Sequence, residues 1–151
     1  MKLTIRRQDL QQELALCQGI AESKGTIPIL SHLLLRADSS GLEIVATDLE
    51  SGLRTRAKAD VAVAGAAAVP ARVLHDIVRA LGSDVVSLES EDNHWLKVEG
   101  GSFKSRVVGL PESDFPTQPT FPDKSANVRV PLAVLQQMIV RTVFAVTAEN
   151  T

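Results

Sequence analysis

Val69-Pro70-Ala71-Arg72-Val73-Leu74 returns 61 residues later as Val130-Pro131-Leu132-Ala133-Val134-Leu135, with Val, Pro, Val and Leu in register. Each copy reads as a strand end running into a helix, because proline is tolerated in the first helical turn, where its missing N–H has no partner to lose. A weaker third copy lies near the start, where Leu10-Gln11-Gln12 matches Leu135-Gln136-Gln137. Strand–helix units therefore open near residues 2, 67 and 127, and a recurring unit of this length governs the architecture before any short motif does.

Outward from these helices the chain is rich in strands. Residues 2–5 alternate as a short strand. Leu10, Leu14, Cys17 and Ala21 recur at helical spacing, with Leu16 and Ile20 widening the stripe, and predict a helix over 7–22. The apolar run 29–37, the turn cluster Asp38-Ser39-Ser40-Gly41 and the strand 42–47 read as a hairpin, followed by a strand over 52–60. After Pro70, Val73, Leu74, Ile77, Val78 and Leu81 form a second helical stripe, with Gly82 as its expected C-cap. Strands at 84–89, 94–99 and 102–108 follow, separated by Glu91-Asp92-Asn93 and Gly100-Gly101. The unit is thus strand, helix, three strands. Two units predict an α+β domain of six to eight strands and two helices.

Residues 110–124 hold Pro111, Pro116, Pro119 and Pro122 without periodicity, so they read as a linker. The expected domains are 1–122 and 123–151. A strand at 128–130 and a helix at 131–143 open the third unit, and no strands follow that helix in this sequence. Leaving Val134, Leu135, Met138, Ile139 and Val143 in water forfeits about 1.5–3 kcal/mol per side chain. The expectation is a fragment of a longer repeat protein.

Composition narrows the function. Sixteen Lys and Arg against 18 Asp and Glu leave a net charge of −2, which excludes a strongly basic nucleic-acid packer. The longest charge-free runs are eleven residues, short of the roughly 20 a spanning helix needs, so no membrane partner and a cytoplasmic location are expected. A lone Cys17 allows no internal disulfide, and its place on the apolar stripe predicts an inert buried thiol. His32, His75 and His94 are scattered, and His75 and Asp76 are helix neighbours that should not face each other. No metal or other cofactor is expected. Thr47-Asp48-Leu49-Glu50 offers a carboxylate pair, yet it lies between two strands, where Asp commonly bonds nearby backbone N–H groups in a turn. Arg72 and Arg79, about two turns apart, share one helix face. Charge alone is accounted for by a solvated face, and contact with nucleic-acid phosphates is the functional reading.

A longer series then stands out: Thr26-Ile27-Pro28-Ile29-Leu30, Leu33-Leu34-Leu35, Ala46-Thr47-Asp48-Leu49-Glu50, Val69-Pro70-Ala71-Arg72, Gly109-Leu110-Pro111, Asp114-Phe115-Pro116 and Thr142-Val143-Phe144-Ala145-Val146. In order and spacing it closely resembles the bacterial DNA polymerase III beta subunits, the sliding clamps. The resemblance covers the first of that family's three domains and the opening of the second.

The resemblance implies the DNA clamp fold, with two βαβββ repeats per domain and helices on one face of antiparallel sheets. It also implies a non-enzymatic processivity factor: a homodimeric ring around double-stranded DNA that tethers DNA polymerase III subunits and meets a clamp loader. The partner cleft lies mostly in regions this chain lacks. The resemblance places DNA contacts at Lys24, Arg72 and Arg79, and less firmly at Arg7 and Arg141. Lys24 stands where some relatives carry arginine, keeping the charge but not the bidentate fork. Ala148, Glu149 and Asn150 match a DNA-touching loop, although Glu149 has the wrong charge for phosphate. Phe103, Lys104, Ser105, Arg106 and Val107 resemble the edge that joins two subunits; Phe103 stands two residues before Ser105, where relatives often carry phenylalanine, and shares its sheet face. Two other readings stay open: an α+β interaction module with no DNA role, and a hydrolase using Asp48 and a histidine.

Overall fold

The computed structural model describes residues 1–21, 27–117 and 128–146. The chain divides into two compact units, Met1–Gln118 and Pro119–Thr151.

The first unit runs β1 (Lys2–Arg6), α1 (Arg7–Ala21), β2 (His32–Asp38), β3 (Gly41–Thr47), β4 (Gly52–Ala57), β5 (Asp60–Val63), β6 (Gly65–Pro70), α2 (Ala71–Ala80), β7 (Val85–Ser90), β8 (Trp95–Gly100) and β9 (Phe103–Val108). Nine strands occur among the described residues, one more than the two-unit pattern allowed. The extra one comes from the predicted strand 52–60, which breaks at Lys58-Ala59. There the chain leaves one sheet, where β4 pairs with β3, and enters the other, where β5 pairs with β1.

The two repeats exchange their first strands. One sheet has the order β5-β1-β7-β8-β9 and the other β4-β3-β2-β6, with every pairing antiparallel. Thus β1, from the first repeat, pairs with β7 of the second (Leu3 opposite Leu88), and β6, from the second, pairs with β2 of the first (Leu33 opposite Val69). The segment after each three-strand meander then covers the exchanged strand. After β4, β5 lies along β1; after β9, Leu110 bridges Ala68 on β6. The last strand of each meander, β4 and β9, forms one edge of its sheet, while β5 and β6 form the opposite edges.

One cluster forms the main core. It joins Leu3 and Ile5 of β1, Leu10, Leu14 and Cys17 of α1, Leu33 and Leu35 of β2, Ile44 of β3, Leu74 and Val78 of α2, and Leu88 of β7. Both helices contribute to it, and α1 packs on α2 and on β3 and β4. Successive strand residues face opposite sides, so Leu34, between Leu33 and Leu35, points away from this core. It enters a second cluster with Ile29, Leu30, Val45, Ala68 and Phe115. Covering on both faces is what makes the run 29–37 almost continuously apolar rather than alternating.

Phe115 also corrects the linker reading. Residues 110–115 are not loose: the Leu110 N–H donates to the Ala68 carbonyl at 3.0 Å, a short 3-10 turn spans Glu112–Asp114, and Phe115 is buried. Gly109 makes the approach possible. A Cβ there would lie 2.2 Å from the Ala68 carbonyl oxygen and 2.6 Å from that of His94.

The helix faces also differ from expectation. On α1, Leu10, Leu14, Cys17 and Ala21 are buried, but Leu16 is exposed and Ile20 only partly covered. On α2 the buried set is Ala71, Leu74, His75 and Val78, so the face is rotated toward His75 and Val73 is left in solvent. Leu81, in extended backbone, is the C-cap of α2; Gly82 does not take up the left-handed conformation expected of it.

The second unit contributes α3 (Leu132–Thr142), with Pro131 at its N-cap as the repeat predicts. Residues 128–130 form no strand, in contrast to expectation. Val134, Leu135, Met138, Ile139 and Val143 are exposed.

His32 makes the fold sensitive to pH. Its Nδ1 lies 3.0 Å from the Pro28 carbonyl, which can only accept, so that nitrogen carries the proton. Burial holds the imidazole below its ordinary 6.5, against the upward pull of that carbonyl. Because the folded value is the lower one, the unfolded chain binds more protons in the interval below 6.5. The stabilisation from neutral His32 is therefore complete above pH 6.5 and declines as the pH falls through that interval. Asp38, bonded by Ser40, and Glu99, bonded by Lys97 and Lys104, are also held below their ordinary values, but their stabilisation is lost only in the acid carboxylate range. Urea unfolding followed from pH 7 downward should therefore show a loss of stability that sets in just below pH 6.5 and is missing in His32→Gln. An identical slope in the variant would contradict this assignment.

Candidate nucleic-acid interface

The amphipathic pattern that buries Leu74 and Val78 turns the opposite side of α2 outward, and both arginines stand on it. Arg72 and Arg79 have side chains 79% and 65% exposed, so both can reach a ligand in solvent. Between them lies Asp76. Its carboxylate is 3.9 Å from Arg72 Nε and 3.5 Å from Arg79 Nη2, one helical turn away in each direction. The face therefore carries one net positive charge rather than two.

His75 lies beside it. Contrary to expectation, its Nδ1 and the Asp76 carboxylate approach to 3.8 Å, although that is too long for a hydrogen bond. His75 is buried, and Nδ1 has no hydrogen-bond partner among the described residues.

On α1, Arg7 opens the helix, and its guanidinium donates to Gln11 Oε1 at 2.8 Å. Arg6 just before it pairs with Asp9 at 2.8 Å. Arg141 lies on α3 in the second unit and is exposed. Lys24 falls outside the described residues, as do Ala148, Glu149 and Asn150. Packing of α1 on α2 thus brings Arg7 and the Arg72–Arg79 pair into one two-helix layer.

At the β9 edge, Phe103 is exposed, Ser105 half-buried and Val107 buried, as expected for three residues on one sheet face approaching the core. The Val107 side chain is therefore committed to its own core, and only its backbone is offered at the edge. Lys104 and Arg106 occupy the other face and pair with Glu99 at 3.2 Å and Glu91 at 3.1 Å.

The catalytic candidates resolve into structure. Asp48 Oδ1 accepts the backbone N–H groups of Glu50 and Ser51, so this carboxylate closes the β3–β4 turn. Burial, with a smaller push from Glu13, raises the Cys17 thiol to about 11, which leaves almost no nucleophilic thiolate at neutral pH. No group of three or more His, Cys, Asp or Glu is placed to hold a metal ion among the described residues. No helix among them is long and apolar enough to cross a membrane.

Residues 1–119 match the family model described as DNA polymerase III beta subunit, N-terminal domain. The chain belongs to the DNA polymerase III beta subunit family. Within that family it is 36% identical over 153 residues to the beta sliding clamp of Caulobacter vibrioides, covering 100% of this chain and 41% of that protein. It is 35% identical over 151 residues to the beta sliding clamp of Pseudomonas aeruginosa, covering 99% of this chain and 41% of that one. The crystal structure of the Caulobacter crescentus sliding clamp superposes with a TM-score of 0.90 at 36% identity, over 100% of this chain and 41% of its own. The Bacillus subtilis clamp shares the fold at a TM-score of 0.92 with 23% identity, over 100% of this chain and 42% of its own. The chain thus spans about two fifths of the length of the beta subunits it matches.

Two features of this chain lie beyond sequence reasoning. Asp76 was read only against His75, whereas its i−4 and i+3 spacing to the arginines was the available signal. Gly109 carried no signal by itself, since the carbonyls it approaches come from residues distant in sequence.

Proposed function

We propose that this chain supplies part of a DNA sliding clamp: a non-enzymatic ring that encircles duplex DNA in the cytoplasm and tethers the replicative polymerase. The observation that carries this reading is the chain-wide match to beta sliding clamps at about a third identity. The domain assignment proposed with it is 1–122 as the clamp's N-terminal domain and 123–151 as the start of the second.

The physics of the fold agrees. An open strand edge is a row of unpaired N–H and C=O groups that recruits another strand. Among the edge strands of the first unit, β4 and β9 are the last strands of the two meanders, one from each repeat. Head-to-tail joining through unlike edges closes into a ring when the rotation per step closes. Phe103, Lys104, Ser105, Arg106 and the backbone of Val107 are the proposed subunit contacts. Ring closure by two copies, and capture of polymerase subunits and a loader, are proposed for the whole protein.

A ring that slides must not read bases, because base-edge contacts create energy wells along the duplex. A few cations of limited net charge give attraction that is uniform along the helix. Lys24, Arg72 and Arg79 are the proposed DNA contacts, with Arg7 and Arg141 as secondary ones.

The assembled full-length protein should stay on closed circular DNA and leave once the circle is linearised. Retention indifferent to DNA ends would overturn the encircling mode. Arg72→Ala with Arg79→Ala should weaken duplex attraction about tenfold near 50 mM salt and flatten the salt dependence by about one charge, the net charge of that face, without altering the circular dichroism spectrum. An unchanged salt slope would remove these two residues from the DNA face.

A further inference from the structure

We propose that Asp76 is an internal competitor for the α2 arginines, setting how firmly that helix holds a duplex; this rests on the clamp reading above. The placement is specific: the carboxylate stands between Arg72 and Arg79, within 3.9 Å of one and 3.5 Å of the other, on the same exposed side of α2. A phosphate approaching either guanidinium must displace or share Asp76.

Stability gives little reason for an aspartate here. Asp is a mediocre helix former and is favoured mainly in the first turn, whereas Asp76 is the sixth residue of α2. Exposed pairs of this kind contribute at most about 1 kcal/mol. Its third neighbour, His75 Nδ1 at 3.8 Å, is too distant to be held by a hydrogen bond.

A related arrangement stands where β1 runs into α1. Arg6 is paired with Asp9 three residues on, and Arg7 is engaged by the Gln11 amide. Arg72 and Arg79 on α2 and Arg7 on α1 are therefore each answered by an acceptor of their own helix. For a molecule that must glide, this limits grip without removing attraction: two bare arginines release more counterions, and hence bind more tightly, than two that share a carboxylate.

The test compares wild type, Asp76→Asn, Asp76→Glu and the Arg72→Ala/Arg79→Ala double variant in the assembled full-length protein. Duplex affinity is measured as a function of salt, and one-dimensional diffusion along DNA is followed by single-molecule tracking. Asp76→Asn is isosteric and should bind about threefold tighter near 50 mM salt, steepen the salt slope by about one charge and slide more slowly. Asp76→Glu keeps the charge and should behave as wild type. If Asp76→Asn leaves affinity and slope unchanged while the arginine double variant weakens both, Asp76 does not compete, although the arginines still contact DNA. If Asp76→Asn weakens binding, the carboxylate presents the arginines instead, and the proposal is overturned. If the arginine double variant also has no effect, the DNA assignment of α2 itself fails.

Discussion

Gly109→Ala is expected to lower the unfolding free energy by about 3–4 kcal/mol. The added methyl would sit 2.2 Å from the Ala68 carbonyl oxygen and 2.6 Å from that of His94. Both are backbone atoms in or beside strands and cannot swing aside as a flexible side chain does. The backbone must separate, and two hydrogen bonds of 3.0 Å go with it, Gly109 N–H to His94 O and Leu110 N–H to Ala68 O. Leu110 and Phe115 then lose their seat on the second apolar cluster. Urea denaturation monitored by circular dichroism measures the effect. A loss below about 1 kcal/mol would mean that the seam relaxes freely and that the segment 110–115 does not depend on it.

Leu74→Ala is expected to cost about 2–5 kcal/mol. Leu74 is fully buried in the cluster that joins α2 to α1 and both sheets, so its removal leaves a cavity with few ways to collapse. Leu16→Ala is the internal control. Leu16 is 61% exposed on α1, and its truncation should change stability by no more than about 0.5 kcal/mol. Near-equal losses in the two variants would contradict the helix orientations described above. Because Leu74 seats the helix that carries Arg72 and Arg79, its loss should also loosen the geometry of the charged face.

Much of this architecture was legible from periodicity. The two strand–helix–meander units, the hairpin through residue 41 and the proline that starts α2 all follow from local rules: alternation in strands, spacing in helices, punctuation by Gly and Pro. What was not legible depends on contacts between distant segments. The strand 52–60 looks continuous because nothing local marks Lys58-Ala59 as the point where the chain changes sheets. Residues 110–115 look like linker because Phe115 stands among prolines, and its reason to be buried comes from distant residues such as Ile29, Leu34, Val45 and Ala68. The α2 stripe read from spacing includes Val73, because a histidine gives no apolar signal, yet it is His75 that lies inside.

The charged face shows the same division. Arg72 and Arg79 could be paired from their spacing, and the family resemblance supplied their proposed role. The partial neutralisation by Asp76 is a matter of side-chain distances. Val107 was grouped with the subunit edge because it lies within the strand, but strand alternation sends its side chain inward.

The exchange of first strands has a consequence for biosynthesis. Lys2 lies opposite Glu89 and Arg6 opposite Val85, so β1 has no β7 to join until some eighty further residues have been translated. The sheet that holds β1 is therefore completed only after the second repeat has been made. Until β7 arrives, β1 is an unpaired strand with apolar residues in water, the kind of species that aggregates before a domain completes.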